Sequence, residues 1–478
     1  MKTNEQSLNN LNQIGSIPRF LLKGEGGLRL WELAGSGLSL INSFFIISSL
    51  SLHQFGLYQL VLSSIGIVGG FNLDSFDGVV SVEMRHSLNK GETAVARRLF
   101  LEYVLVKILL AVVLVALIFA GAIAADHYGD NISLLLRLAS VVLILEALQS
   151  LQRIFFKSVF SFAYFGASAM RELGKFLPLL YFFYISSLTL TKVVSIHMAG
   201  LFISLLFMSF LFFKNLKSKP NWLTNTKNSI RGKYLIPSLV KLQGKWIFLK
   251  YGFARLTKNT TPWLIKLFIN TEAVALYSVA VNLVAMIVEF FPVNMVPYVY
   301  LARIGDKKEL RHLFNKSVKY IFWFGIALGL VVFLIMPPLG GVILPKYQQA
   351  MPLFQVMIVV LPVYGVYKLV KSILTVLREY KILTMRILVE AVILWVSLIV
   401  LLPVLGLYGA AISYIIVYLG RISFLYPALV KKYPHLSFRI NNLFQFDRYD
   451  KDFLQKWWYY ISSILVIFLN KKLKSLWK

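Results

Sequence analysis

Apolar runs of about 20 residues succeed one another along almost the whole chain, and nothing else in it constrains the fold so tightly. A run of that length matches a hydrocarbon core about 30 Å thick, where only helices or closed barrels satisfy every backbone donor and acceptor. Barrel strands alternate apolar and polar residues over about 10 positions, whereas these runs are continuous. The chain therefore reads as an all-α polytopic membrane protein, and its 58% hydrophobic content agrees. Twelve spans are expected, at roughly 29–51, 56–83, 99–125, 132–154, 164–187, 192–213, 246–269, 273–300, 318–338, 350–374, 383–404 and 406–428.

Lys and Arg fall on every second connection. Arg97, Arg98, Arg153, Lys157, Lys307, Lys308 and Lys381 lie on one set of loops, with a dense run from Lys214 to Lys245, whereas the other set holds only Lys192 and Lys346. By the positive-inside rule the basic loops are cytoplasmic, so both ends of the twelve-span unit are expected to face the cytoplasm. The net charge of +29 is thereby assigned to topology and anionic lipid headgroups. Nucleic acid is not an expected partner, because the charges flank spans instead of forming one basic domain.

Several kinds of chemistry find no support. The chain has no cysteine, its six histidines lack metal-ligand spacing, and no phosphate-cradling Gly-x-x-x-x-Gly-Lys-Ser/Thr loop occurs. No metal, no cofactor and no fused ATPase is expected. Residues 1–28 lack the features of a cleaved signal peptide, so the first span is expected to remain. The outer loops are too short for the chemistry of a lipid-linked glycosyltransferase or polymerase. A transporter is expected, not an enzyme.

The basic stretch 214–245 divides the spans six and six, and the sequence echoes itself across it. Gly56-Leu57-Tyr58 and Ala275-Leu276-Tyr277 open spans 2 and 8, while Arg98-Leu99-Phe100 and His312-Leu313-Phe314 open spans 3 and 9. Even numbers of spans per half imply parallel repeats about an axis normal to the membrane, an arrangement that places substrate between the halves. The expected organisation is an N-terminal bundle over 1–213, a cytoplasmic linker over 214–245, a C-terminal bundle over 246–430 and a basic tail over 431–478. In the tail, Trp457–Leu469 is apolar but shorter than a span, so an interfacial helix is expected, with a thirteenth span as the alternative.

The stretch Glu272-Ala273-Val274-Ala275-Leu276-Tyr277-Ser278-Val279-Ala280, and Leu402-Pro403 followed by Gly406-Leu407-Tyr408-Gly409-Ala410-Ala411, resemble polysaccharide-lipid (Wzx-like) flippases of the multidrug/oligosaccharidyl-lipid/polysaccharide superfamily. The resemblance covers about residues 20 to 430. It implies two bundles around a central cavity and translocation of an undecaprenyl-diphosphate-linked oligosaccharide, a repeat unit of O-antigen, capsule or exopolysaccharide. A polysaccharide polymerase and chain-length machinery are the partners it implies. Members often carry an acid in the middle of span 7, where this chain has Thr261.

Charges inside spans are costly and mark pathways or pairs. In span 7, Arg255, Lys258, Asn259 and Lys266 form one polar stripe that includes Pro262. Lys258, with Arg255, is expected to attract the diphosphate or an acidic sugar, although Arg255 and Lys266 also suit snorkelling toward the interfaces. Lys368 and Lys371 in span 10 are added as phosphate contacts on the cytoplasmic side. Asp74 and Asp77 in span 2, close in sequence to Arg85, suit either an inner-gate ion pair at a helix break or a proton or cation site, and Glu289 in span 8 competes for the second role. Other intramembrane charges, among them Lys107, Glu146, Arg171, Glu172, Lys175, Glu390 and Arg421, are expected to pair across helices. The cationic stripe favours an anionic cargo; the alternative is an ion-coupled exporter of small cationic or amphipathic compounds.

Overall fold

The computed structural model describes residue 31 and residues 34–74, 76–125, 132–158, 166–217, 236, 245–289, 291, 307–377, 379–447, 450 and 455. All regular structure among them is helical. The helices of the N-terminal half are α1 (Ala34–Ser49), α2 (Leu52–Gly69), α3 (Asp77–Asn89), α4 (Thr93–Ala125), α5 (Ile132–Ser158), α6 (Gly166–Tyr184) and α7 (Leu190–Lys217). The C-terminal half holds α8 (Lys245–Phe268), α9 (Thr271–Glu289), α10 (Lys307–Ile343), α11 (Ala350–Ile358), α12 (Leu361–Val376), α13 (Tyr380–Leu405) and α14 (Leu407–Lys432).

Seven of these helices, α4, α5, α7, α9, α10, α13 and α14, are long and apolar enough to cross a membrane, and α11 with α12 makes an eighth span bent by 53°. The protein is thus a multi-pass membrane protein. The other expected spans are present as α1, α2, α6 and α8, which fall short by length or polarity. Two of them are the helices with the densest intramembrane charge: α6 carries Arg171, Glu172 and Lys175, and α8 carries Arg255, Lys258 and Lys266. Hydropathy is lowest where the polar residues gather.

Two expected spans are not continuous. Span 2 is broken: α2 stops at Gly69 and α3 starts at Asp77, with Leu73 in the left-handed region at φ 55°. Span 10 is split between α11 and α12, where Pro362 occupies the first turn of α12. A proline is tolerated there because the first amides of a helix need no intrahelical acceptor. At its other end α2 is fixed by a capping box, in which Ser51 accepts from the Gln54 amide and Gln54 accepts from the Ser51 amide. The turn between α13 and α14 explains one of the motif segments: Gly406 adopts φ +56°, and a Cβ on Gly409 would lie 2.2 Å from the Leu401 carbonyl oxygen.

Within the N-terminal half α4 packs on α5, α5 on α7 and α6 on α7; within the C-terminal half α13 packs on α14, α10 on α12, and α8 on α13. The halves meet where α2 lies against α8 and α9. One apolar core runs through this junction and includes Phe55, Leu60 and Val61 of α2 with Ile265 of α8 and Val274, Ala275 and Val279 of α9.

Beyond α14 the chain docks back on the N-terminal part of α10. The Trp323 indole donates to the Leu443 carbonyl at 2.9 Å, Lys316 reaches Asp447 and Asp450 at 2.7 Å each, and Lys319 reaches Asp450 at 2.6 Å. Burial alone would push the Asp450 carboxyl up, but hydrogen bonds from Lys316, Lys319 and Tyr320 outweigh it and hold it below the usual carboxylate range. The hydrogen bond from Lys316, then that from the Asp450 amide, hold the Asp447 carboxyl down. Most of the 214–245 linker and the apolar stretch 457–469 lie outside the described residues.

Candidate functional site

The polar stripe of α8 forms and is divided between two surroundings. Around Pro262, which removes the amide that would bond the Lys258 carbonyl, side chains turn back onto the backbone: Thr257 donates to Phe253, Asn259 to Arg255 and Thr260 to Leu256. Arg255, Asn259 and Trp263 face α2. The approach is close because α2 offers glycines there: a Cβ on Gly66 would stand 2.6 Å from the Asn259 amide, and one on Gly69 3.2 Å from Arg255 Nη1. Trp263 Nε1 donates to Ser64 Oγ at 3.1 Å. Lys266, half-buried, places its Nζ 6.0 Å from the Trp263 ring centre.

At the break between α2 and α3 four charges close on one another. Arg255 Nη2 donates to Asp74 at 3.0 Å, and Lys107 Nζ of α4, fully buried, donates to Asp74 at 3.1 Å and to Asp77 at 2.6 Å. The Tyr103 hydroxyl donates to Asp77 at 2.8 Å and lies 2.9 Å from the Leu73 carbonyl. Glu146 of α5 interacts electrostatically with Asp74 and Arg255, and also with Arg171 and Arg153. Arg85, close by in sequence, donates through its guanidinium to the Lys157 carbonyl at the end of α5. The acids therefore pair with Lys107 and Arg255, which come from more distant sequence.

Lys258 stands apart. It lies about 60° around α8 from Arg255, on an exposed strip, and no hydrogen bond or ion pair from the described residues reaches it. Glu289, the last residue of α9, is exposed and interacts electrostatically with Lys368 and Tyr364 of α12. Sequence proximity had offered Lys368 no acid; the fold supplies one from α9. Lys371 is exposed one turn further along α12.

Two further clusters lie inside the halves. In the N-terminal half Glu172 accepts from Asn42 at 3.1 Å and from Lys175 at 2.8 Å, beside a cavity of about 80 Å³ also lined by Tyr58 and His197. In the C-terminal half Glu390 of α13 accepts from Arg386 at 2.7 Å and from Arg421 of α14, while Arg386 also donates to the Tyr367 hydroxyl at 2.7 Å. The halves touch again near the N-terminal ends of α2 and α9, where His53 and Glu272 are 2.9 Å apart, and Lys346 donates to the Ser48 carbonyl at 3.0 Å.

No family model and no curated protein matches the sequence. The fold is nonetheless shared with solved transporters of the multidrug/oligosaccharidyl-lipid/polysaccharide (MOP) superfamily. The chain is similar to the lipid II flippase MurJ in an inward closed conformation, at 13% identity and a TM-score of 0.66 over 87% of this chain and 89% of that one. It is similar to a multidrug-resistance MATE transporter in an inward-facing conformation, at 11% identity and a TM-score of 0.62 over 83% and 96%. A MOP-superfamily transporter from Pyrococcus furiosus, whose binding pocket is described as of reverse polarity suggesting a different function, matches at 11% identity and a TM-score of 0.57 over 87% and 96%.

Proposed function

Starting from a fold held in common with a lipid-linked-precursor flippase and with drug exporters, we propose that this protein is a flippase for an undecaprenyl-diphosphate-linked oligosaccharide in a bacterial inner membrane. The observation that carries the choice is Lys258: an exposed ammonium within a transmembrane helix, with no acid from the described residues beside it. An exporter of small cations needs carboxylates turned to its cargo. Here Asp74, Asp77, Glu172 and Glu390 are each held by Lys or Arg. The two halves rock against each other on α2, α8 and α9, and Lys258 meets the diphosphate as a mobile point charge while the polyprenyl chain stays in the bilayer. That attraction has to be modest, since a deep well midway would trap the cargo. Lys368 and Lys371 serve on the cytoplasmic side, and a polymerase with its chain-length machinery receives the product outside.

Lys258→Ala is expected to reduce flipping of the lipid-linked oligosaccharide at least tenfold, with protein level and melting temperature unchanged. The readouts are surface polysaccharide, and lipid-linked precursor accumulating on the cytoplasmic side. Normal export by this variant overturns the role of Lys258. Drug sensitivity on deletion, with polysaccharide unaffected, overturns the flippase reading in favour of the exporter.

A further inference from the structure

We propose that the C-terminal half contains an anion site of its own, formed by Arg386, Arg421 and Glu390 and extended by Tyr367, Tyr418 and Tyr414, which receives an acidic sugar. The first argument is charge. Two guanidinium groups share a single carboxylate, so the cluster carries one positive charge in excess. Both oxygens of Glu390 are occupied, Oε2 by Arg386 and Oε1 by Arg421. The Nε atoms of both arginines are buried and have no hydrogen-bond acceptor among the described residues. Each arginine brings five N–H donors, and one carboxylate with one phenol cannot satisfy two such groups. Glu289, the acid nearest on α9, acts on Lys368 and Tyr364.

A bridge that only joined α13 to α14 would need one arginine and one acid. A second arginine adds the penalty of moving another charge out of water and brings no second acid to offset it. The faces of aromatic rings offset part of it: the Arg421 guanidinium stands 4.1 Å from the Tyr418 ring centre and 5.4 Å from that of Tyr367. Rings do not accept the in-plane N–H donors. A carboxylate or a phosphate does, in the two-pronged geometry that guanidinium groups favour.

The second argument is access combined with the run of tyrosines. Arg386, Glu390 and Arg421 keep 11%, 14% and 16% of their side-chain surface exposed, so the cluster is reachable although mostly enclosed. From it the rings run toward the outer end of α14: Tyr367 to Tyr418 at 5.8 Å and Tyr418 to Tyr414 at 5.0 Å, with Tyr364 flanking at 5.3 Å from Tyr418. Arg421 and Tyr414 are seven residues apart on one helix, about 10 Å along its axis. Tyrosine offers a flat apolar face with a polar tip, which suits a sugar ring with its apolar face and hydroxyl rim. An anion grip continued by a row of such rings fits a charged saccharide better than a bare phosphate. That the ligand is a saccharide rests on the flippase reading; the surplus charge does not.

The test uses the full chain in lipid nanodiscs and three probes: a hyaluronan tetrasaccharide with glucuronate carboxylates, neutral chitotetraose, and inorganic diphosphate. The tetrasaccharide is expected to bind about tenfold more tightly than chitotetraose. Arg421→Gln removes that preference, and Tyr418→Ala weakens both sugars. Glu390→Gln is the decisive variant. It removes the internal competitor and keeps the shape, so a ligand site binds the acidic sugar several-fold more tightly, whereas a merely structural bridge loses thermal stability with no gain in binding. Equal affinity for the two sugars, or no tightening in Glu390→Gln, overturns the proposal. Diphosphate binding as tightly as the tetrasaccharide overturns the sugar assignment and gives the site to the lipid-linked phosphate. If wild-type vesicles fail to flip lipid-linked oligosaccharide while the sugar preference holds, the flippase reading fails and the anion site stands.

Discussion

The cluster at the break between α2 and α3 and the cluster shared by α13 and α14 use the same side-chain types to different ends. Asp74, Asp77, Lys107 and Arg255 pair two charges with two, and they join three helices from both halves of the molecule. Arg386, Arg421 and Glu390 leave one positive charge over and stay within one half. A balanced set satisfies itself when it closes, which makes it a suitable latch between halves. An unbalanced set is completed only by something that arrives. On the proposed reading, net charge within a cluster, not the number of ion pairs, separates a gate from a binding site.

The largest effect expected from this contrast is at Lys107. Lys107→Met leaves Asp74 and Asp77 facing each other without their buried cation, and should destabilise the protein by about 3–5 kcal/mol. Arg421→Gln removes a surplus charge and leaves the Arg386–Glu390 pair whole, so its penalty should be about 1–2 kcal/mol. Thermal unfolding in nanodiscs measures both; equal losses would erase the distinction between the clusters.

Asp74→Asn tests the latch directly. With Arg255 40% and Asp74 28% exposed, solvent screens the pair, and a shift of about 1 kcal/mol, roughly fivefold in population, toward separation of the cytoplasmic ends is expected. The chain has no cysteine, so spin labels at His86→Cys and Lys307→Cys report that separation without background. An unchanged distance distribution would mean that α2 and α8 are held by packing alone.

The tail dock sharpens the comparison in another medium, since Lys316 and Lys319 with Asp447 and Asp450 form a second balanced quartet, outside the spans on its acidic side. Both carboxyls lie below their ordinary value of 3.8 in the folded protein, so their contribution is complete above that value and is lost as pH falls through the depressed ones. Amide protection over residues 440–447, corrected for the intrinsic pH dependence of exchange, should therefore fall as the pH drops from about 4 toward 2, while that of α2 and α8 holds. Asp450→Asn should bring the same local loosening at neutral pH. This is the smallest effect of the set.

Much of this architecture was legible in the chain because lipid imposes it locally. Each helix satisfies its own backbone, so a long apolar run announces a span whatever lies beside it. The helix breaks were legible in part: an interruption in span 2 was one reading of Asp74 and Asp77, whereas Pro362 lay inside a run apolar enough to read as continuous. The site was less legible. Arg255 read as a cargo contact, and the fold gives it to Asp74, 181 residues away in sequence. Lys107 could be noticed from its place in an otherwise apolar span, but its partners lie across the helix break. Of the α8 stripe, Lys258 alone keeps an exposed charge with no ion pair among the described residues.

Span number, helical class and the side of the membrane on which each loop is expected follow from hydropathy and charge along the chain, because lipid and the positive-inside bias act on a segment through its own composition. The partner of each buried charge depends on which helices pack side by side, and therefore on small-residue contacts such as Gly66 against Asn259 that no single segment contains. Pairing decides which cations are spent and which remain for a ligand. On the proposed reading function turns on that remainder, and only the packing of the helices decides it.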